Sequence, residues 1–177
     1  MDFKSTIRIA RDGELTVTER IEVLAEGREI RRGILRDFPT EYRDGRGRTT
    51  RVPFDVLGVT RNGAAERFTI ESLRNGKRIR IGRADALLER GVHVYEITYR
   101  TSRQIGYFDT HDELYWNVNG TGWTFAFDRI GAEVELPAPV PAGEIRVEAY
   151  TGPQGARGRD YEAQVREGGA SFRTTRA

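Results

Sequence analysis

The chain has 177 residues, 37% hydrophobic and 32% charged, a polar but foldable balance that excludes a disordered polyelectrolyte. Its 29 basic and 27 acidic residues leave a net charge of +2, no basis for a nucleic-acid partner, and the absence of cysteine excludes disulfides, thiolate nucleophiles and thiolate-held metals. No stretch approaches the ~20 apolar residues of a membrane-crossing helix, and Met1 to Ala10 lacks the apolar run of a signal peptide, so the chain by itself is expected to be soluble.

From the amino terminus onward the pattern has period two. In Glu14 to Leu24, apolar side chains fall at 15, 17, 21 and 23 with charged or hydroxyl residues between them, which reads as a strand with one buried face. Asp12-Gly13 ahead of it is a hairpin signal, and Asn62-Gly63 and Asn75-Gly76 repeat that signal later. Arg28 to Arg51 carries eight Arg against four acids, and its middle, Asp44-Gly45-Arg46-Gly47-Arg48, reads as a solvated, mobile loop. Alternation returns at Lys77 to Ile81 and Val92 to Tyr99; between them Ala84 to Arg90 is the best helical candidate, a turn or two long. It recurs at Ile130 to Leu136, at Glu144 to Tyr150 and more weakly at Tyr161 to Val165, with the proline-stiffened Pro137 to Gly143 and the polar loop Gly152 to Gly158 between. Many short strands separated by turns predict an all-β fold: an antiparallel β-sandwich, immunoglobulin-like in general architecture, with at most one or two short helical turns. A barrel is the alternative. Strands resume after the prolines, so one continuous domain over residues 1–177 is expected.

The densest group of unusual residues runs from Ile105 to Phe127. It holds Tyr107, Phe108, His111, Tyr115, both tryptophans and the acids Asp109, Asp112 and Glu113; between Gly106 and Pro137 six acids stand against one Arg. Tyr107, Asp109, Asp112, Glu113, Tyr115 and Trp123 form the candidate ligand surface, against the plainer reading of surface charge pairing and two tryptophans filling the core. Closely spaced acids in a loop could supply oxygens to calcium, but the spacing is not that of an EF-hand, and capping of a turn explains them without a metal. A glycosidase pair would need two carboxyls held apart across a cleft, which the sequence does not display. His93 sits in an alternating strand and reads as a strand residue. No Gly-rich loop opens a helix and no nucleophile elbow occurs. No catalytic residue, cofactor or resident metal is expected.

One ordered series of motifs is more specific. Asp12-Gly13-Glu14-Leu15-Thr16-Val17-Thr18-Glu19 is followed by Arg32-Gly33-Ile34-Leu35-Arg36-Asp37-Phe38-Pro39, then Ile79-Arg80-Ile81-Gly82, Gly91 to Tyr99, and Asp112-Glu113-Leu114-Tyr115-Trp116-Asn117-Val118-Asn119-Gly120-Thr121. The series resembles the predicted membrane protein family labelled domain of unknown function 2207, over roughly residues 7 to 151. That resemblance implies an extracytoplasmic β domain of a membrane-anchored protein, lying between a signal peptide and membrane helices that this sequence lacks. It implies a truncated chain, and a further strand beyond Phe172 to Ala177 whose loss would leave an open edge. It assigns no catalytic residue. The partners it suggests are an envelope glycan or a protein, and the membrane through the absent helices. On residue chemistry, Arg36, Asp37, Trp116, Asn117 and Asn119 read as architectural: Arg36 and Asp37 as a local ion pair or with one turned inward, Trp116 in the core by alternation, the asparagines holding a bend.

Overall fold

The first period-two pattern becomes a hairpin, β1 (Asp2–Ile9) and β2 (Leu15–Ala25), turned at Gly13, whose φ of 80° a side chain would resist. The computed structural model describes residues 1–43, 49–153 and 155–176. The loop expected at residues 44–48 lies outside the described residues. The chain continues through β3 (Gly33–Pro39), β4 (Glu41–Arg43), β5 (Thr49–Arg51), β6 (Phe54–Arg61), β7 (Ala64–Ala65), β8 (Phe68–Leu73) and β9 (Gly76–Gly82). Then come β10 (Gly91–Thr101), β11 (Ile105–Tyr107), β12 (Asp112–Leu114), β13 (Arg129–Glu135), β14 (Tyr161–Arg166) and β15 (Gly169–Thr174).

Eight strands form one sheet, in the order β14-β15-β13-β1-β2-β10-β6-β7; β3-β9-β8 form a second, and β4-β5 and β11-β12 are two-stranded ribbons. The pairing of β1 with β13 is parallel, whereas β2 runs antiparallel to both β1 and β10. The fold is all-β and sandwich-like. Leu15, Val17, Ile21 and Val23 of β2 and Tyr95, Ile97 and Tyr99 of β10 share one core with Ile34 and Phe38 of β3 and Ile79 and Ile81 of β9. Each such aliphatic side chain contributes about 1.5–3 kcal/mol on burial. Within the small sheet Gly33 of β3 lies opposite Gly82 of β9, and a Cβ on either would collide with a backbone carbonyl of the facing strand or its approach. No helix among the described residues is long and apolar enough to cross a membrane.

Two expectations are corrected. Ala84 to Arg90 is not helical: it makes one turn, after which Leu88 donates its N–H to the Arg31 carbonyl at 2.8 Å. Seven residues cannot meet the cost of nucleating a helix when a neighbouring loop offers the bond. Glu144 to Tyr150 keeps its alternation but joins no ladder among the described residues; Ala142–Glu144 is a 3-10 turn, Ile145 is extended, and residues 146–150 carry no regular secondary structure. The final strand, β15, lies between β13 and β14, so β14 and not the last strand is the sheet edge.

Candidate functional site

The inward face of β2 carries one acid. Glu19 falls between Val17 and Ile21 on the buried side and is fully buried, as is Arg36 of β3 at 2% exposure. Alternation along β3 turns Arg36 inward between Ile34 and Phe38. Its Nε and Nη2 donate to Glu19 Oε2 and Oε1, both at 2.7 Å, and Nη1 donates to the Asp37 carbonyl at 2.6 Å. The Tyr99 hydroxyl of β10 donates to Glu19 Oε1 at 2.8 Å. A bidentate, fully hydrogen-bonded pair therefore ties the large sheet to the small one. The Arg36 guanidinium also lies over the rings of Phe3, Phe38 and Trp123, 5.7–5.9 Å from their centroids. Burial pulls the Arg36 pKa down, but the charge and hydrogen bonds of Glu19 outweigh it and hold the pKa above its usual value. Burial, reinforced by the Glu19 charge, pushes the Tyr99 pKa well up.

The next residue turns the other way. Asp37 accepts two bonds from Arg78, its cross-strand partner on β9, at 2.6 and 2.7 Å. Of the two readings open for Arg36 and Asp37, the inward turn is the one realised. Residues 115–125 then strap across Arg36. Trp116 packs on Phe38, ring centroids 6.0 Å apart, while Tyr115 and Asn117 face outward. Asn117 Oδ1 accepts the Gly120 N–H at 3.1 Å, and Trp123 Nε1 donates to the Asn119 carbonyl at 2.7 Å. Gly120 has φ 69°, and a Cβ there would collide with Arg36 Nη1. Trp123 is half-buried, edge-on to Phe3 and Phe127, with its ring engaged by Arg36.

Immediately before this strap, β11 and β12 form a projecting hairpin. Ile105 and Leu114, paired in register, pack against the core, and the tip closes by the Phe108 N–H donating to the His111 carbonyl at 3.0 Å. Phe108 stacks on His111 with ring centroids 5.0 Å apart. Tyr107, Phe108 and Tyr115 are 70%, 57% and 78% exposed. Asp109, Asp112 and Glu113 are exposed too, and among the described residues the one ion-pair contact they make within 4.0 Å is that of Glu113 with His111, at 3.8 Å. Elsewhere many of the acids are matched, among them Glu71 with Arg80, Glu133 with Lys4 and Arg166, Glu135 with Arg8, and Glu162 with Arg173. Among the described residues no group of three or more His, Asp and Glu comes together to hold a metal. Two open depressions, around Arg67 and Asp85 and around Glu41 and Arg74, include none of the hairpin acids.

Of the candidate ligand surface, the hairpin brings together Tyr107, Asp109, Asp112, Glu113 and, one residue beyond it, Tyr115; Trp123 belongs to the packing around Arg36. Sequence reasoning missed Glu19 and Tyr99, though the gap at 19 in the series 15, 17, 21, 23 marks an acid on a buried face. It also missed the surroundings of His93, which is buried on β10. His93 Nε2 lies 2.8 Å from the Glu89 carbonyl, an acceptor only, so Nδ1 is the nitrogen left to accept from Arg61 and Asn62 at 3.3 and 3.4 Å.

The family model that matches this chain is described as predicted membrane protein (DUF2207) N-terminal domain and covers residues 1–174. The uncharacterized protein YciQ of Escherichia coli K12 is 28% identical over 156 residues, 87% of this chain but 24% of that protein. Among solved structures, leukotriene A4 hydrolase from Saccharomyces cerevisiae aligns at a TM-score of 0.49 and 14% identity, over 98% of this chain and 28% of its own. The M1 zinc metallopeptidase from Deinococcus radiodurans aligns at 0.42 and 11%, over 99% of this chain and 38% of its own. The chain thus spans about a quarter of YciQ and less than two-fifths of either enzyme.

Proposed function

The chain belongs to the predicted membrane protein (DUF2207) N-terminal domain family, and from that premise we propose that it is an extracytoplasmic, non-catalytic recognition domain of a membrane-anchored protein, with the β11–β12 hairpin as its contact surface for an envelope glycan. The observation that carries this reading is the hairpin's composition. Three exposed aromatic rings and three carboxylates, two of them with no basic partner among the described residues, stand on one anchored element of a protein that pairs many of its other acids. Ring faces stack on sugar rings, and carboxylates accept from sugar hydroxyls. The acids sit on exposed surface away from the open depressions, which favours binding over hydrolysis.

Position supports the same reading. Thr101 of β10 lies opposite Leu15 of β2 at the hairpin's end of the sheet, whereas Asp2, Arg129 and Arg173 cluster at the other end, near Glu22. The eleven residues of β2 span about 33 Å at about 3.3 Å per residue. In a membrane protein that continues past residue 174, the hairpin faces away from that exit.

Amide chemical-shift mapping with soluble peptidoglycan fragments and polysaccharides tests the proposal. Shifts confined to residues 105–115, and lost in Tyr107→Ala and Tyr115→Ala, are expected. Shifts elsewhere, or none with any glycan, overturn the glycan reading; hairpin-centred shifts with a protein alone would replace it.

A further inference from the structure

Residues 145–150 alternate like a strand but form no ladder with any strand among the described residues. Ile145, Val147 and Ala149 are half-buried; Arg146, Glu148 and Tyr150 are exposed. The run lies antiparallel to β14. At one end the Val140 carbonyl accepts the Gly168 N–H at 2.9 Å, and at the other the Ala149 N–H donates to the Tyr161 hydroxyl at 3.1 Å. In an extended chain, successive residues turn their backbone polar groups to opposite edges. An extended run with Ala149 facing Tyr161 would turn the N–H and C=O groups of Arg146 and Glu148 to the other edge, and those groups have no hydrogen-bond partner among the described residues. No proline or lysine interrupts residues 142–152, so two of the usual guards of a free edge are missing.

The segment Glu144-Ile145-Arg146-Val147-Glu148-Ala149-Tyr150 is complementary to itself read backwards. Around a two-fold axis at Val147, Arg146 falls opposite Glu148 of a second copy, Glu148 opposite its Arg146, and Ile145 opposite its Ala149. Neither Arg146 nor Glu148 has an ion-pair partner among the described residues; the Glu148 carboxylate lies beside the Tyr150 hydroxyl on the same face and raises its pKa. We propose that residues 145–149 are a homodimerisation strand, pairing antiparallel with the same residues of a second copy. Positions 146 and 148 form the hydrogen-bonded pairs, and Val147 meets its symmetry mate at the closer spacing, about 4.5 Å between Cα atoms. The charges that would repel a foreign strand select a second copy of this one.

Sedimentation equilibrium of the 177-residue chain tests this directly. A reversible monomer–dimer equilibrium in the micromolar range, about 1–500 µM, is expected for so small an interface. Arg146→Glu and Glu148→Arg each place like charges in both cross-strand pairs and should raise the Kd at least about tenfold; the double exchange restores opposite charges and should return it to within about threefold of the parent. Arg146→Pro, which the extended Ile145 (φ −92°, ψ 122°) accommodates, removes a ladder donor and should also dissociate the dimer. A monomer at every concentration overturns the proposal. So does a dimer indifferent to both reversals, or a double exchange no better than the singles.

Discussion

Substituting Glu19 by Gln removes one charge from a pair that is 0% and 2% exposed and leaves Arg36 ionised among Phe3, Phe38 and Trp123. Breaking a buried pair from one side costs about 3–5 kcal/mol, because the surviving charge keeps its desolvation penalty without its partner. Against a typical domain stability of about 5–15 kcal/mol, that is about a fifth of the total at the least. For a chain of this length it lowers Tm by about 6–20 °C, at about 2–4 °C per kcal/mol. Replacing both partners, Glu19→Leu with Arg36→Met, removes both charges and fills the same space, and should cost little or even stabilise by about 1–4 kcal/mol. The Tyr99 hydroxyl, which loses its acceptor in the double variant, is removed by adding Tyr99→Phe. Urea titrations followed by tryptophan emission read the cycle, since Trp123 lies 5.7 Å from the Arg36 guanidinium. If Glu19→Gln costs under about 1 kcal/mol, or the double variant costs as much as the two singles added, the pair is not the inter-sheet tie described above.

Tyr99→Phe alone should cost about 1.5–3 kcal/mol through its lost bond to a carboxylate, whereas Tyr95→Phe, whose hydroxyl has no hydrogen-bond partner among the described residues, should stay within about 0.5 kcal/mol of the parent by the same titration. Burial raises the Tyr95 pKa to about 12. A raised folded pKa gives stability that is complete below the unfolded value of about 10 and lost as pH rises through the folded one, so the urea midpoint should fall from pH 10 toward 12, and less steeply in Tyr95→Phe. At the acid end, burial pushes the Glu66 carboxyl up, but hydrogen bonds from Arg61 and the Arg67 N–H and the charge of Arg61 together outweigh it and lower it, and the Lys4 hydrogen bond lowers Glu133. Depressed carboxylates contribute above their unfolded values and lose that contribution as pH falls through the folded ones, so the midpoint should decline below about pH 4. Gly120→Ala, at φ 69° and against Arg36, should destabilise by more than about 1 kcal/mol, read as a lower Tm in calorimetry.

Strand content was legible because side-chain parity is local. The series 15, 17, 21, 23 names the buried face of β2, and the same rule names those of β9 and β10. It also assigns position 19 to the core. What it cannot supply is the partner: Arg36 is seventeen residues away and Tyr99 eighty, and nothing local singles either out. Parity misled at Glu144 to Tyr150 for the converse reason, since alternation records one half-buried face and not the presence of a neighbouring strand. Sheet order was beyond reach as well. An immunoglobulin-like arrangement divides seven strands four and three, whereas here eight strands face three and β1 pairs in parallel with β13. Tyr107 and Tyr115 could be named as a candidate surface from composition, but the separation of Trp123 from them depends on the strap over Arg36.

That strap links the stability of the core to the shape of the hairpin. The chain passes from Leu114, packed on the core, through exposed Tyr115 to Trp116 on Phe38, and then to Gly120 against Arg36. Tyr115 is therefore held between two anchored neighbours, and Ile105 opposite Leu114 fixes the other side of the ribbon. Under the glycan reading proposed above, a hairpin built this way would lose little conformational freedom on binding, so affinity would rest on ring faces and carboxylates and not on loop ordering. The buried Glu19–Arg36 pair thus has a consequence at a distance: it holds the strap, and the strap holds Tyr115 in place.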